Sequence, residues 1–403
     1  MSSLSKVFGV FALCLLIILI LLVVGVLSGR LSFDDGAFIN PYVDVDPEKN
    51  YQLELWAHHF SLRDEYRNYL EQMIEEFQQL YPQVEVKYRL FSPLEEDKAL
   101  EEALAEASPP DLYLNWWGPM KFHSLQLPVQ HYLSREEESM LSEGLEGIVV
   151  EEKGIWSWPS LQAPLPWLAS KELIVPLLNR MGLNLNDIWQ EGWSWEELEF
   201  MLQEIESEGE RVPLIYLSDK RELSSQLLIN SSSLGDQRVL SELEQADPDK
   251  WEEAEKMIDR FLGDNEELVE EALHLLWSKK LILLAGSNYN LTGHLLSQQE
   301  QQGVQLVVLP PPGPGKIKNN RLPFQLVRLT AFRQRDYQGD DHTRAVMELG
   351  RFISRSISSH WSGRGLLFPL WELPDAEYSR PETISEGELR YLEGVLKKGG
   401  YLP

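Results

Sequence analysis

Residues 51–117 alternate between strand-like and helix-like hydrophobic periods, and this alternation constrains the fold more than any other feature of the chain. The stretch LELW has strand character, and the residues after Asp64 repeat their apolar positions every 3.6 residues as far as Pro82. VEVKYRL then alternates apolar and polar residues, a second helix is predicted over about 95–107, and DLYLNWW follows as a third strand. Strand, helix, strand, helix, strand in this order is typical of parallel βαβ units with right-handed crossovers.

The sequence changes character near residue 162, which indicates a second unit. APLPWLA (163–169) is a crossing segment broken by prolines, and Ser194 is predicted to cap the helix that begins GWSWEEL. Further strands are predicted at LILLAG, GVQLVVL and FQLVRLTAF, and 221–277 is predicted to be mostly helical. Asp340 and Asp341 are predicted to cap a helix with a regular apolar face. The chain is therefore predicted to be an α/β protein with two units.

The N-terminus predicts an extracytoplasmic location. Residues 7–27 form an uncharged apolar run, which as a helix is roughly 30 Å long and spans a bilayer. Its length favours one N-terminal transmembrane helix at 1–30 over a signal peptide, although Val26-Leu27-Ser28 is a passable cleavage site and both alternatives stay open. Lys6 precedes the run, which places the N-terminus in the cytoplasm. Residues 31–50 are predicted to be a tether.

Composition excludes several classes of function. The net charge of −28 excludes a nucleic-acid partner, because phosphate binding requires a basic face. The only cysteine, Cys14, lies in the apolar run, so disulfides do not stabilise the exported part. The 13 tryptophans suggest flat side chains that bind a ligand.

Metal and catalytic sites are not predicted. His58 and His59 are adjacent, but neighbouring side chains in a strand point to opposite faces and cannot easily share one ion. No Gly-x-Ser-x-Gly or HExxH motif is present, so the chain is predicted not to be an enzyme, with no cofactor. A glycan hydrolase would require a carboxylate pair, and no pair stands out among the 64 acidic residues.

Five stretches, taken in order, resemble the family 1 extracellular solute-binding proteins, the carbohydrate-type components of bacterial ABC importers. They are LELWAHHFSLRDEYRNYLEQMIEEFQQLYPQVEVKYRL, ASPPDLYLNWW, GWSWEELEFMLQEI, KKLILLAGSNYN and VVLPPPGPGKIKNNRLPFQLVRLTAF. The last four are similar to the family's APDV strand, TWDEL helix entry, GSW segment and PLP-GP loop. The resemblance covers roughly 51–372. The chain departs from the family in reading GSN for GSW and in having a short tail.

The resemblance implies a two-lobed, periplasmic-binding-protein-like (type II) fold with an interlobe cleft. Lobe one would comprise 51–162 and 318–360, and lobe two would comprise 163–317 and 361–403. Ligand contacts in such lobes come from the carboxyl ends of strands. The residues expected to bind the ligand are Trp56, His58, Asn115, Trp116, Trp117, Trp167, Asn288 and Tyr289.

The function implied by the resemblance is delivery of a sugar or oligosaccharide to the permease subunits of an ABC transporter. The binding domain would lie outside the cytoplasm and be held to the membrane by the N-terminal helix. The alternative is a membrane-tethered sensor or scaffold that keeps the fold without transport.

Overall fold

A computed structural model describes the greater part of the chain. The described residues are 33–34, 37–58, 63–91, 96–115, 125–138, 150–151, 154–208, 212–217, 220–228, 248–261, 269–286, 289–315, 322–363, 366–371, 384–396 and 400–401. Among the helices in these ranges, none has both the length and the apolar character needed to cross a bilayer. The membrane helix predicted at 7–27 lies outside the described residues.

Within the described ranges, the strands form two main sheets and two short hairpins. They are β1 (Phe33–Asp34), β2 (Ala37–Phe38), β3 (Tyr51–His58), β4 (Val84–Phe91), β5 (Leu112–Asn115), β6 (Val150–Glu151), β7 (Gly154–Ile155), β8 (Trp158–Pro164), β9 (Trp167–Ser170), β10 (Val212–Tyr216), β11 (Leu281–Ala285), β12 (Leu306–Leu309), β13 (Pro323–Ala331), β14 (Phe368–Pro369) and β15 (Gly400–Tyr401). The larger sheet has the order β14-β8-β13-β5-β3-β4, with β15 beside β13, and the smaller sheet has the order β10-β11-β9-β12.

Helices cover these sheets. They are α1 (Arg63–Leu80), α2 (Glu96–Ala105), α3 (Lys171–Arg180), α4 (Leu185–Glu191), α5 (Trp195–Glu208), α6 (Lys220–Leu228), α7 (Pro248–Phe261), α8 (Val269–Trp277), α9 (Tyr289–Gln302), α10 (Asp340–Trp361) and α11 (Glu386–Leu396). A short 3-10 helix lies at Gln130–Tyr132. The predicted order β3-α1-β4-α2-β5 is confirmed, and β3 pairs in parallel with both β4 and β5.

A short link between β8 and β9 joins the two sheets. β8 runs in the same direction as β5, because both are antiparallel to β13. Only Leu165 and Pro166 separate the carboxyl end of β8 from the start of β9. Since β9 is antiparallel to β11, this link enters the smaller sheet at the carboxyl end of β11. The carboxyl end of β8 therefore meets the carboxyl edge of the smaller sheet at the 164–167 crossing.

The C-terminal region contacts both sheets, which differs from the predicted assignment of 361–403 to lobe two alone. β14 pairs with β8 and β15 pairs with β13, both in the larger sheet. In α11, the Glu388 carboxylate instead accepts a 3.1 Å hydrogen bond from the backbone N–H of Val308 in β12. The short tail thus connects the two lobes.

Close packing of α10 on the larger sheet depends on a glycine. Gly350 lies in the middle of this helix, directly above the indole ring of Trp158 in β8. Trp158 has no exposed surface. A Cβ at position 350 would come within 2.6 Å of that ring, so the glycine allows the helix to approach the sheet.

A buried acid holds residues 134–138 to the same helix. Glu137, only 2% exposed, accepts hydrogen bonds from Arg351 at 2.8 Å and Arg355 at 2.7 Å. Its second oxygen accepts the N–H of Ser134 at 2.7 Å. Despite the cost of burial, the Ser134 hydrogen bonds and the two arginines lower the pKa of Glu137, which keeps it ionised.

The second half of the predicted tether over 31–50 contacts the larger-sheet lobe. The carboxylate of Asp341 accepts the hydroxyl of Tyr51 at 2.8 Å and the ammonium of Lys49 at 2.6 Å. Asp340 accepts the N–H of Asn40 at 3.1 Å. The prediction that these two aspartates cap α10 is wrong, since Gly339 is the N-cap. Their side chains instead hold the incoming segment.

Candidate functional site

Three buried polar side chains form one row at the carboxyl edge of the larger sheet. The β3–β5 register pairs Ala57 with Leu114, which puts His58 level with Asn115. On the other side of β5, Asn115 pairs with Arg328 of β13. Residues directly opposite each other on neighbouring strands lie on the same face of a sheet. His58, Asn115 and Arg328 are 2%, 4% and 6% exposed, so the row is a buried polar strip at the carboxyl ends of β3 and β5.

His58 is an uncharged member of this row. Its Nε2 lies 2.5 Å from the hydroxyl of Tyr113, and the two rings meet edge to face. Burial lowers the pKa of His58 to about 3, because a charged imidazole would lose its hydration. The side chain therefore stays neutral at physiological pH.

Trp56 lies on the same face as His58 but in a packed setting. Its ring contacts Phe91 at a centroid distance of 4.9 Å and has the guanidinium of Arg89 5.5 Å from its centroid. The indole N–H donates to Glu54 at 2.6 Å. Trp56 and Phe91 belong to a small apolar cluster that also includes Leu100 of α2. The ring, only 8% exposed, is therefore covered by this cluster.

Trp167 is an interior residue of the smaller sheet. It begins β9 and has no exposed surface. Its indole N–H donates to Gln226 of α6 at 3.0 Å, and its ring meets Trp193 edge to face at 6.2 Å. The structure thus buries both Trp56 and Trp167. Neither ring offers an open aromatic surface next to the polar row.

The remaining residues predicted to contact the ligand follow the ends of β5 and β11 in the sequence. Trp116, Trp117 and Asn288 lie outside the described residues. Tyr289 is the first residue of α9, just beyond the carboxyl end of β11. The ligand contacts expected of these four residues therefore stay predictions.

Arg328 and Tyr113 were missed by sequence reasoning. The signal for Arg328 was a single charged residue inside the alternating strand FQLVRLTAF. Its place in the row is set by the β13–β5 register, which pairs Arg328 with Asn115. These two residues are more than two hundred positions apart in the chain, so their pairing could not be read from local sequence patterns.

The described ranges contain no group of three or more histidine, cysteine, aspartate or glutamate side chains arranged to hold a metal ion. His58 is hydrogen-bonded to the hydroxyl of Tyr113 instead. The row can therefore donate and accept hydrogen bonds through an imidazole, an amide and a guanidinium.

Known structures resemble this chain in fold and only weakly in sequence. No protein-family model matches the sequence, and no curated protein shows significant similarity to it. A family 1 extracellular solute-binding protein from Bifidobacterium longum subsp. infantis is 14% identical, with a TM-score of 0.55 over 88% of this chain and 89% of that one.

Two other similar structures are named for their sugars. The cyclic alpha-maltosyl-1,6-maltose binding protein from Arthrobacter globiformis is 13% identical, with a TM-score of 0.60 over 88% of both chains. The maltose/maltodextrin-binding domain MalE from Bdellovibrio bacteriovorus, bound to maltotriose, is 14% identical, with a TM-score of 0.56 over 87% and 88%. At these identities the likeness establishes architecture: the chain has the two-lobed α/β fold of the extracellular solute-binding proteins.

Proposed function

We propose that this chain is an extracytoplasmic solute-binding protein that takes a carbohydrate-like ligand between its lobes and delivers it to an ABC permease. The observation that carries the proposal is the buried polar row His58–Asn115–Arg328 at the carboxyl ends of β3 and β5. Ligands of open α/β sheets bind at the carboxyl ends of strands, which is the position of this row.

The chemistry of the row suits hydroxyl groups. A sugar hydroxyl both donates and accepts hydrogen bonds, and the neutral His58 and the Asn115 amide can each do the same. Arg328 adds donors in a fixed planar geometry. A site of this kind needs few polar groups, provided that they converge and are kept from water.

The apolar faces of sugar rings require aromatic partners, and we assign that role to Trp116, Trp117 and Tyr289, with Asn288 as a further polar contact. Trp56 and Trp167 are proposed to support the site from beneath, because both rings are covered by neighbouring side chains. The proposed role is binding without catalysis, in a domain outside the cytoplasm that the N-terminal apolar run attaches to the membrane.

Titration calorimetry of the full chain against a sugar panel tests the proposal. The panel takes maltotriose, stachyose, cycloalternan and a chitin oligosaccharide, which are sugars that the names of similar structures mention. We expect binding of at least one of them, and Asn115→Ala should weaken it by about ten-fold through the loss of a buried hydrogen bond.

Asn179→Ala is the matched control, since Asn179 is an exposed asparagine on α3. The affinity of Asn179→Ala should equal that of the native chain, and both variants should remain folded. A folded protein that binds none of the sugars would overturn the ligand assignment and favour the tethered sensor or scaffold.

A further inference from the structure

Three tryptophans donate to one stretch of backbone at the end of β12. The indole N–H groups of Trp189, Trp193 and Trp195 bond to the carbonyls of Val308 at 2.9 Å, Pro310 at 2.7 Å and Pro312 at 3.1 Å. The acceptors are every second residue, and alternate residues of an extended segment face the same way. The three indoles therefore form a ladder along one side of 308–312, called the indole ladder below.

The prolines explain why side chains, rather than the backbone of a neighbouring strand, donate hydrogen bonds to these carbonyls. Pro310, Pro311 and Pro312 have no N–H, so the segment cannot continue a sheet by ordinary pairing. Its carbonyls still need donors where they are buried. The rings of Trp193 and Trp195 are 1% and 7% exposed, so their N–H groups supply these donors away from water.

Further bonds fix both ends of the same stretch. At the outer end, Gly313 donates to the carbonyl of Trp193 at 3.0 Å and accepts the N–H of Trp195 at 2.8 Å. At the inner end, the N–H of Val308 is held by Glu388. The segment from Val308 to Gly313 is thus bonded to α4, α5 and α11.

This stretch is also one of the connections between the lobes. It leaves β12 of the smaller sheet and leads towards β13 of the larger sheet. From its sequence, PPPGPG reads as a turn, which would be a natural place for bending. We propose that the indole ladder makes 308–313 a rigid part of the smaller-sheet lobe and so limits how far the lobes open.

The first step of the test is hydrogen exchange on the full chain carrying Trp193→Phe and Trp195→Phe. Phenylalanine keeps an aromatic ring but removes the N–H donor. The backbone amide of Gly313 reports on the ladder, and we expect it to exchange about ten-fold faster in the double variant. Trp56→Phe is the control, because Trp56 donates to Glu54, remote from the ladder.

The second step measures lobe opening by the distance between spin labels. Gln72→Cys on α1 and Asn179→Cys on α3 place labels at exposed sites of the two lobes, with Cys14→Ser removing the native thiol. The distance distribution should broaden in the double variant and keep its native width in Trp56→Phe. These readouts need no ligand, so they are independent of whether a sugar binds.

Unchanged Gly313 exchange would overturn the proposal, and so would faster exchange with a distribution of native width. Equal broadening in Trp56→Phe would overturn it too, since the effect would then belong to any lost indole donor. If the double variant does not fold, Trp195→Phe alone gives the same test. It removes the indole N–H that donates to Pro312, which is the outermost carbonyl of the ladder.

Discussion

Replacing Gly350 with alanine should destabilise the protein, although the same change stabilises most helices. In an ordinary helix the substitution gains about 1 kcal/mol. Here the new Cβ would lie 2.6 Å from Cζ3 and 2.9 Å from Cη2 of Trp158, a ring with no exposed surface. Forcing an extra methyl group into such a core costs about 1–3 kcal/mol. The balance is a loss of about 1 kcal/mol in the free energy of unfolding.

Urea denaturation followed by circular dichroism measures this loss. Gly387→Ala is the matched control, because Gly387 is also a helix glycine but its Cβ would meet nothing closer than 3.4 Å. It should gain up to about 1 kcal/mol. Adding Trp158→Phe to Gly350→Ala should recover part of the loss, since the atoms that clash are removed. If Gly350→Ala stabilised the protein as much as Gly387→Ala, the argument from close packing would be refuted.

Two further predictions concern buried ionisable groups. His58 stays neutral in the fold down to about pH 3 but is protonated below about pH 6.5 when unfolded, so acid favours unfolding over that window. Between pH 7 and pH 5 this contribution lowers the free energy of unfolding by about 2 kcal/mol. His58→Gln should remove that part of the pH dependence. If the free energy of unfolding changed with pH as steeply in the variant as in the native chain, His58 would not be held neutral. Glu137→Ala should lower the free energy of unfolding, measured by urea denaturation, by about 2 kcal/mol. The carboxylate that is lost is buried, whereas its two arginine partners are partly solvated and remain hydrated without it. Glu136→Ala, at the exposed neighbouring residue, is the control and should change the free energy of unfolding little.

The order of elements was predictable because it depends on local periods. The alternation over 51–117 gave β3, α1, β4, α2 and β5 in the right order, and Ser194 does begin α5 through reciprocal hydrogen bonds with Glu197. These features are decided by neighbours a few residues apart, which a single sequence contains.

The side-chain environments were less predictable because they depend on distant residues. Trp193 and Trp195 donate to carbonyls more than a hundred positions away, and no local pattern indicates such partners. The stretches GWSWEEL and VVLPPPGPG, each noted separately in the sequence, turn out to bond to each other. In the same way, Lys49 and Asp341 gave no sign in the sequence that they form an ion pair.

The burial of the indoles has a practical consequence for spectroscopy. The rings of Trp158, Trp167, Trp193 and Trp361 are fully enclosed, so their emission is shifted to the blue and shielded from soluble quenchers such as acrylamide. The emission of these four indoles accordingly reports on the integrity of the interior. A red shift of that emission on mutation or heating marks entry of water into the packed core.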